Sequence, residues 1–337
     1  MLDLMNHRER VFACLAGEEV DRPPASMWRH FYEAETAAET LAMEMIGFQR
    51  QFDWDFMKVN PRASYHAEDW GLKMRHKVGD APEPVYWPIQ EPDDWTRIDI
   101  LRPDEGVMGE QLEALGLIAK GLNGQVPFMM TVFTPLSIAS RLVISEDLFV
   151  QHLREYPDKV SQALEVITET FIGFSRACIE HDASGLFFAT TSLATTDLLT
   201  SQEYFELGRP YDLRILDSVS DAELNILHVC KDNNMLSDLK DYPVHAFNWD
   251  TFGRGNLSLE EGRAILGDKV AIGGVPHKDG LEGAASHEIK CGIRDTRISM
   301  GNLSWMLGTG CTFPADTSLD KVRAVADIAK EIIENQI

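Results

Sequence analysis

The run LNILHVC, Leu224–Cys230, decides how the rest of the chain is read. Its near-continuous hydrophobicity is what a strand covered on both faces shows, and His228 and Cys230 stand where that strand ends. Side chains of an extended chain alternate with period two, so His-x-Cys places both on one side. A second apolar run ends in MLGTGC and supplies Cys311. A neutral imidazole and two thiolates suit Zn²⁺, and three protein ligands leave a fourth position open for substrate. Cys311 is far downstream of Cys230, so only a fold can bring it close.

Six further runs read the same way: PPASMWR from Pro23, DFMKVN from Asp55, PFMMTVF from Pro127, GLFFAT from Gly185, HAFNW from His245 and KVAIGG from Lys269; the run that leads to Cys311 begins as LSWML from Leu303. Helical patterns lie between most of them. From Tyr156 to Glu180, apolar residues recur at Val160, Leu164, Ile167, Phe171, Phe174 and Cys178. Ser258 with Glu261 forms a capping-box signature, and Thr317 with Asp320 resembles another, opening a last helix through Val322, Val325, Ala329 and Ile332. Eight alternations of strand and helix predict one α/β domain over 1–337, a (β/α)8 TIM barrel. A doubly wound open sheet is the runner-up, but no G-x-G-x-x-G opens a helix. The proline- and tryptophan-rich stretch 66–102 is expected to be a loop with a hairpin over the C-terminal mouth.

With 44% hydrophobic residues in 337, the chain can bury a full core. A net charge of −23 disfavours nucleic acid and anionic membrane surfaces as partners; its plainest meaning is solubility. No stretch reaches the roughly 20 apolar residues of a membrane span. The N-terminal MLDLMNHRERVF is charged and helical in pattern, so it is not read as a signal peptide. Five cysteines are no disulfide framework, and a cytoplasmic protein is expected.

Barrel active sites lie at the C-terminal face. The strand ends therefore nominate His228, Cys230 and Cys311 as metal ligands, with Trp28, Arg29, His30, Lys58, Asn60, Asn248 and Trp249 around a substrate. Each has a plainer reading. His228 could be a hydrogen-bonded core histidine and Cys230 a small buried apolar residue. Arg29 could make a surface ion pair, and Asp55 and Lys58 could pair with each other. The tryptophans of the long loop read better as packing than as a cofactor cage. His66, His76 and His277 have no spacing to another ligand and stay unassigned.

NHRERVFACLAGEEVDRPP at the start, then PVHAFNWD, IGGV and GTGC, resemble the uroporphyrinogen decarboxylase superfamily across essentially the whole chain. The resemblance implies a (β/α)8 barrel and two branches. The decarboxylase branch carries an arginine pair after strand one and a histidine in L-G-H-G-I. Here WRHFYE has Arg29 and then Glu33, and LGTGC has Thr309 and Cys311. The corrinoid-dependent methyltransferase branch carries His-x-Cys and a distant Cys, a set matched by His228, Cys230 and Cys311. It also implies an acidic residue that can take the fourth place on zinc, here Asp250, and Asp55 is similar to the family's substrate-facing aspartate. One departure is Lys231, where the branch usually has glycine.

The expected activity is zinc-dependent methyl transfer between a corrinoid carried on a partner protein and a small thiol or methylated substrate, with Asp250 and Asp55 as catalytic residues. Two alternatives stand beside it. One is a metal-free decarboxylase or lyase holding a small carboxylate through Arg29; the other is a barrel that binds a corrinoid or tetrapyrrole without chemistry.

Overall fold

A computed structural model describes residues 5–77, 79–301 and 304–331. Its strands are β1 (Ala25–Ser26), β2 (Met57–Val59), β3 (Lys73–Lys77), β4 (Asp80–Tyr86), β5 (Phe128–Phe133), β6 (Gly185–Ala189), β7 (Ile226–Val229), β8 (Ala246–Trp249), β9 (Val270–Val275) and β10 (Trp305–Thr309). β3 and β4 form an antiparallel hairpin, and the other eight make one sheet in the order β1-β10-β9-β8-β7-β6-β5-β2, every pair parallel. Each expected run overlaps one of these eight strands, with β9 continuing to Val275 and β10 to Thr309, past the ends of KVAIGG and LSWML. Leu303, where the last run begins, and Ile332, at the end of the last helical pattern, lie outside the described residues.

The seam between β1 and β2 closes the barrel. Asp55 N–H donates to the Ala25 carbonyl at 2.9 Å, Ala25 N–H donates to the Asp55 carboxylate at 2.8 Å, and Ser26 Oγ donates to the Phe56 carbonyl at 2.7 Å. Strand pleating sorts the core into two layers. Trp28, Phe56, Met129, Phe187, Ile226, Ala246, Ile272 and Met306 fill the interior. Their chain neighbours, among them Met27, Met57, Leu227, Phe247, Ala271 and Leu307, pack outward in the larger core that includes the helices.

The helix Pro157–Glu180 begins one residue after the expected Tyr156 and buries the predicted stripe. Ser258 caps Leu259–Ile265 with the full capping box. The last helix, Leu319–Lys330, is capped by Ser318 rather than Thr317, because the Ser318 hydroxyl is the one that accepts from the backbone of Asp320. In the stretch 66–102, Trp95 is fully buried and donates to His152 at 3.1 Å, and Trp70 donates to the Asp99 carbonyl. Its start supplies His66 to the mouth, while the hairpin stands at the rim: Gly79 shares a shallow depression with Arg29–Ala34.

Candidate active site

β7 and the residue after it carry Ile226, His228 and Cys230 on the interior face, whereas Leu227 and Val229 pack outward. Cys311 arrives differently. The chain turns after β10, Gly310 N–H bonding the Val275 carbonyl at 3.2 Å. A side chain at 310 would strike the Asp250 backbone, a Cβ there lying 2.7 Å from its Cα, so glycine is required for the close approach. The outcome is that ligand atoms of His228, Cys230 and Cys311 lie within 4.8 Å of one another. The two sulfurs are 3.8 Å apart. Two thiolates held at about 2.3 Å on a tetrahedral ion would be separated by about 3.8 Å, so the donor set fits zinc.

Asn248 sets the histidine. Its Nδ2 donates to the carbonyls of Ile272 at 3.0 Å and Thr309 at 3.1 Å, so its Oδ1 must accept from His228 Nδ1, 2.7 Å away. That fixes the proton on Nδ1 and leaves the Nε2 lone pair for the thiol side. The hydrogen bond between the cysteines splits them: it lowers the Cys311 thiol well below its ordinary value, with His228 assisting, and raises that of Cys230.

These groups line a cavity of about 310 Å³ at the C-terminal ends of the strands. Trp28 and Phe187 meet edge to face at 5.4 Å, and the Phe187 ring stacks on His228 at 5.3 Å. Lys58 lies with its ammonium 4.9 Å from the centre of the Phe187 ring and donates to Asn60. Burial pushes the Lys58 amine down to about 8. His30 faces the cavity too, its Nδ1 bonded to the buried Glu35 carboxylate at 2.8 Å. A second, wider hollow of about 850 Å³ shares Cys230, Lys231 and Cys311 with the first and continues outward past Asp232, Phe252 and Arg254.

Pleat phase removes two expected substrate contacts. Trp249 points out of the barrel against Gly262, where a Cβ would come within 2.2 Å of its ring, and donates to the Leu257 carbonyl. Arg29 follows Trp28 on the opposite face, lies over the Phe31 ring, and does not line the cavity. The decarboxylase alternative that used Arg29 as its carboxylate holder loses that support. Glu33 is exposed and also outside the cavity, so it opposes no substrate there. Asn248 is fully buried beneath His228 and acts on the histidine, not on a substrate.

Asp55 sits at the other end of its strand. It accepts from Arg22 at 2.5 Å and Arg10 at 2.7 Å, with His7 at 2.9 Å, deep in the N-terminal seam. It pairs with neither Lys58 nor the mouth, and its catalytic assignment is withdrawn. Asp250 does lie at the mouth, 3.5 Å from His277 Nδ1 and accepting from Phe252 N–H at 3.1 Å. It does not join the ligand trio among the described residues. Burial opposes its ionisation, yet His277 outweighs this and keeps the carboxyl low. His66, His277, Glu35 and Arg141 were not legible from spacing. Arg141 in particular ends a helix, Pro135–Arg141, and carries no strand-end signal.

Fold and site together define a (β/α)8 barrel whose carboxyl-end mouth brings together one histidine and two cysteines. The chain belongs to the uroporphyrinogen decarboxylase (URO-D) family, whose profile matches residues 6–332. It is 21% identical over 240 residues to the methylcobamide:CoM methyltransferase MtbA of Methanosarcina acetivorans, covering 66% of this chain and 69% of the relative. It is 25% identical over 223 residues to MtaA of Methanosarcina barkeri, also a methylcobamide:CoM methyltransferase, covering 64% and 61%. A uroporphyrinogen decarboxylase of Hydrogenovibrio crunogenus is 24% identical over 216 residues, covering 60% and 58%. The solved structure of a methyltransferase from Methanosarcina mazei superposes with a TM-score of 0.83 at 20% identity, over 96% of this chain and 98% of that one. A B12-independent methionine synthase from Shewanella sp. W3-18-1 gives 0.59 at 9% identity, over 91% and 96%. These structural likenesses concern the fold. No described helix is long and apolar enough to cross a membrane.

Proposed function

We propose that this protein is a zinc-dependent methyltransferase that moves a methyl group between a corrinoid on a partner protein and a small thiol or methylated substrate. The observation that carries the reading is the trio: two sulfurs 3.8 Å apart beside a histidine whose tautomer Asn248 has set. The similarity to two methylcobamide:CoM methyltransferases supports the same chemistry. Zinc bound there would supply the Lewis acidity that keeps a substrate thiol ionised at neutral pH. The chain's own residues do the rest. His228, Cys230 and Cys311 would hold the ion, and Asn248 orients the imidazole. Lys58 places a positive charge near the cysteines, and Trp28 and Phe187 give the cavity an apolar floor. In the thiol direction, the substrate sulfur would attack the methyl carbon, forming a C–S bond as the bond from that carbon to its carrier breaks and the electron pair leaves with the carrier. Asp250 and His277 line the wider hollow, through which a corrinoid face would have to approach.

Elemental analysis of the purified chain tests the metal, with about one zinc per chain expected. The Cys230→Ser, Cys311→Ser double variant should lose it while remaining folded. Methylcobalamin should change its absorption spectrum when a thiol is added, and a zinc chelator should stop the change. Metal-free protein that converts uroporphyrinogen to coproporphyrinogen at a catalytic rate would overturn the proposal.

A further inference from the structure

Three cations line the inner cavity without forming an ion pair among the described residues, in a chain of net charge −23: Lys58, Arg141 and, exposed at its edge, Lys231. Lys58 lies toward the thiols, bonded to Asn60 and influenced by Cys311 and Cys230. Arg141 reaches the cavity from a separate element, the helix that follows β5, while the trio comes from the ends of β7 and β10. None of its guanidinium N–H groups has a protein partner among the described residues. Its Nε is sealed from solvent and unsatisfied, which leaves the terminal Nη groups as the donors open to the cavity. Beside it, contributed by the short helix Tyr65–Glu68 that follows β2, is His66, which also lines the cavity and whose Nδ1 is buried without a partner. Burial, with the Arg141 charge adding to it, keeps this imidazole neutral. Glu146 is the carboxylate whose charge reaches Arg141, but it is exposed and accepts from Ser192 instead.

A half-buried guanidinium left without acceptors is costly unless a ligand supplies them. Its planar fork matches a carboxylate or sulfonate, and a neutral histidine can add one further hydrogen bond. We propose that Arg141 and His66 form an oxyanion subsite that takes the negatively charged end of the small substrate, a carboxylate or a sulfonate. The substrate's reactive end then lies at His228, Cys230 and Cys311. The identity of that reactive end rests on the methyl-transfer reading; the oxyanion subsite does not. A cavity of about 310 Å³ suits a short substrate with its charge at one end and its sulfur at the other.

Titration calorimetry on the full zinc-loaded chain tests this with 2-mercaptoethanol, 3-mercaptopropionate and 2-mercaptoethanesulfonate, and with the thiol-free propionate and ethanesulfonate. At least one anionic thiol should bind about tenfold or more tighter than 2-mercaptoethanol. Arg141→Gln should erase that advantage and leave 2-mercaptoethanol unchanged. Arg141→Lys, which keeps the charge but not the fork, should lose most of it and serves where the glutamine variant does not fold. The thiol-free acid of the preferred type should bind wild type with or without zinc, and its binding should fall with the same variants. Equal affinity for neutral and anionic thiols, or equal weakening of both by Arg141→Gln, overturns the subsite. Thiol-free acids that bind through Arg141 while 2-mercaptoethanol ignores the zinc-loaded chain would instead sink the methyl-transfer reading and leave the subsite standing.

Discussion

Asn248 holds His228 by a 2.7 Å hydrogen bond to Nδ1, and is itself locked by donating to the carbonyls of Ile272 and Thr309. An amide so fixed cannot turn over to offer its nitrogen. The histidine therefore presents Nε2, and only Nε2, toward the two cysteines.

Asn248→Ala should weaken zinc binding about 10- to 100-fold, since an outer partner that fixes a ligand's tautomer contributes on that scale. Chelator competition reads the affinity. The melting temperature of the metal-free variant separates this from simple destabilisation, because two buried carbonyls also lose donors. Unchanged zinc affinity in a folded Asn248→Ala variant would remove Asn248 from the site.

Lys231 follows Cys230 with φ at +71°, the left-handed region that favours glycine. The resemblance to zinc methyltransferases already singled out this position as usually glycine. Lys231→Gly should relieve about 1 kcal/mol of strain, partly offset by the greater freedom of glycine in the unfolded chain. Lys231→Val should cost at least as much as the glycine gains. Denaturant midpoints at constant m-value check both.

Asp55→Asn should destabilise the fold by about 3–5 kcal/mol, because it leaves Arg10 and Arg22 buried beside a lost charge. Zinc per folded chain should not change, since Asp55 lies at the far end of the barrel. Burial by itself raises the Asp55 carboxyl, but His7, Arg22 and Arg10 outweigh it and hold the group well below the usual range. A depressed folded value means stability that is present above the unfolded carboxylate range and lost as pH falls below it. Wild type should thus show an acid-side stability loss that the variant lacks.

Asp212 behaves oppositely. Burial pushes its carboxyl up to about 7 from 3.8, against hydrogen bonds from Tyr242 and Tyr204 at 2.8 and 2.9 Å. A raised folded value gives stability that is full below the unfolded pKa and lost as pH rises through the folded one. Between those two values this group should lower wild-type stability by up to about 1.4 kcal/mol per pH unit. Asp212→Asn should flatten that slope and leave the cluster of His228, Cys230 and Cys311 untouched. Urea melts from pH 4 to pH 8 would show it, and parallel slopes for both proteins would refute the assignment.

The amino-acid sequence by itself determined the barrel and half of the site. Eight apolar runs, each too continuous for a one-sided sheet, are local facts about burial on both faces. The pleat is local too: it put His228 and Cys230 on one side, and it also argued against Arg29 and Trp249, whose neighbours Trp28 and Asn248 occupy the inward phase. What no local rule could supply was closure. Cys311 reaches the trio only because the chain turns at Gly310 against Asp250, and Asp55 is a seam residue only because β1 and β2 meet. Arg141 and His66 become neighbours across one cavity from helices that follow different strands. Periodicity describes which way a side chain points from its own backbone. Which other backbone it then meets is set by how the sheet closes and how its loops fold over the mouth.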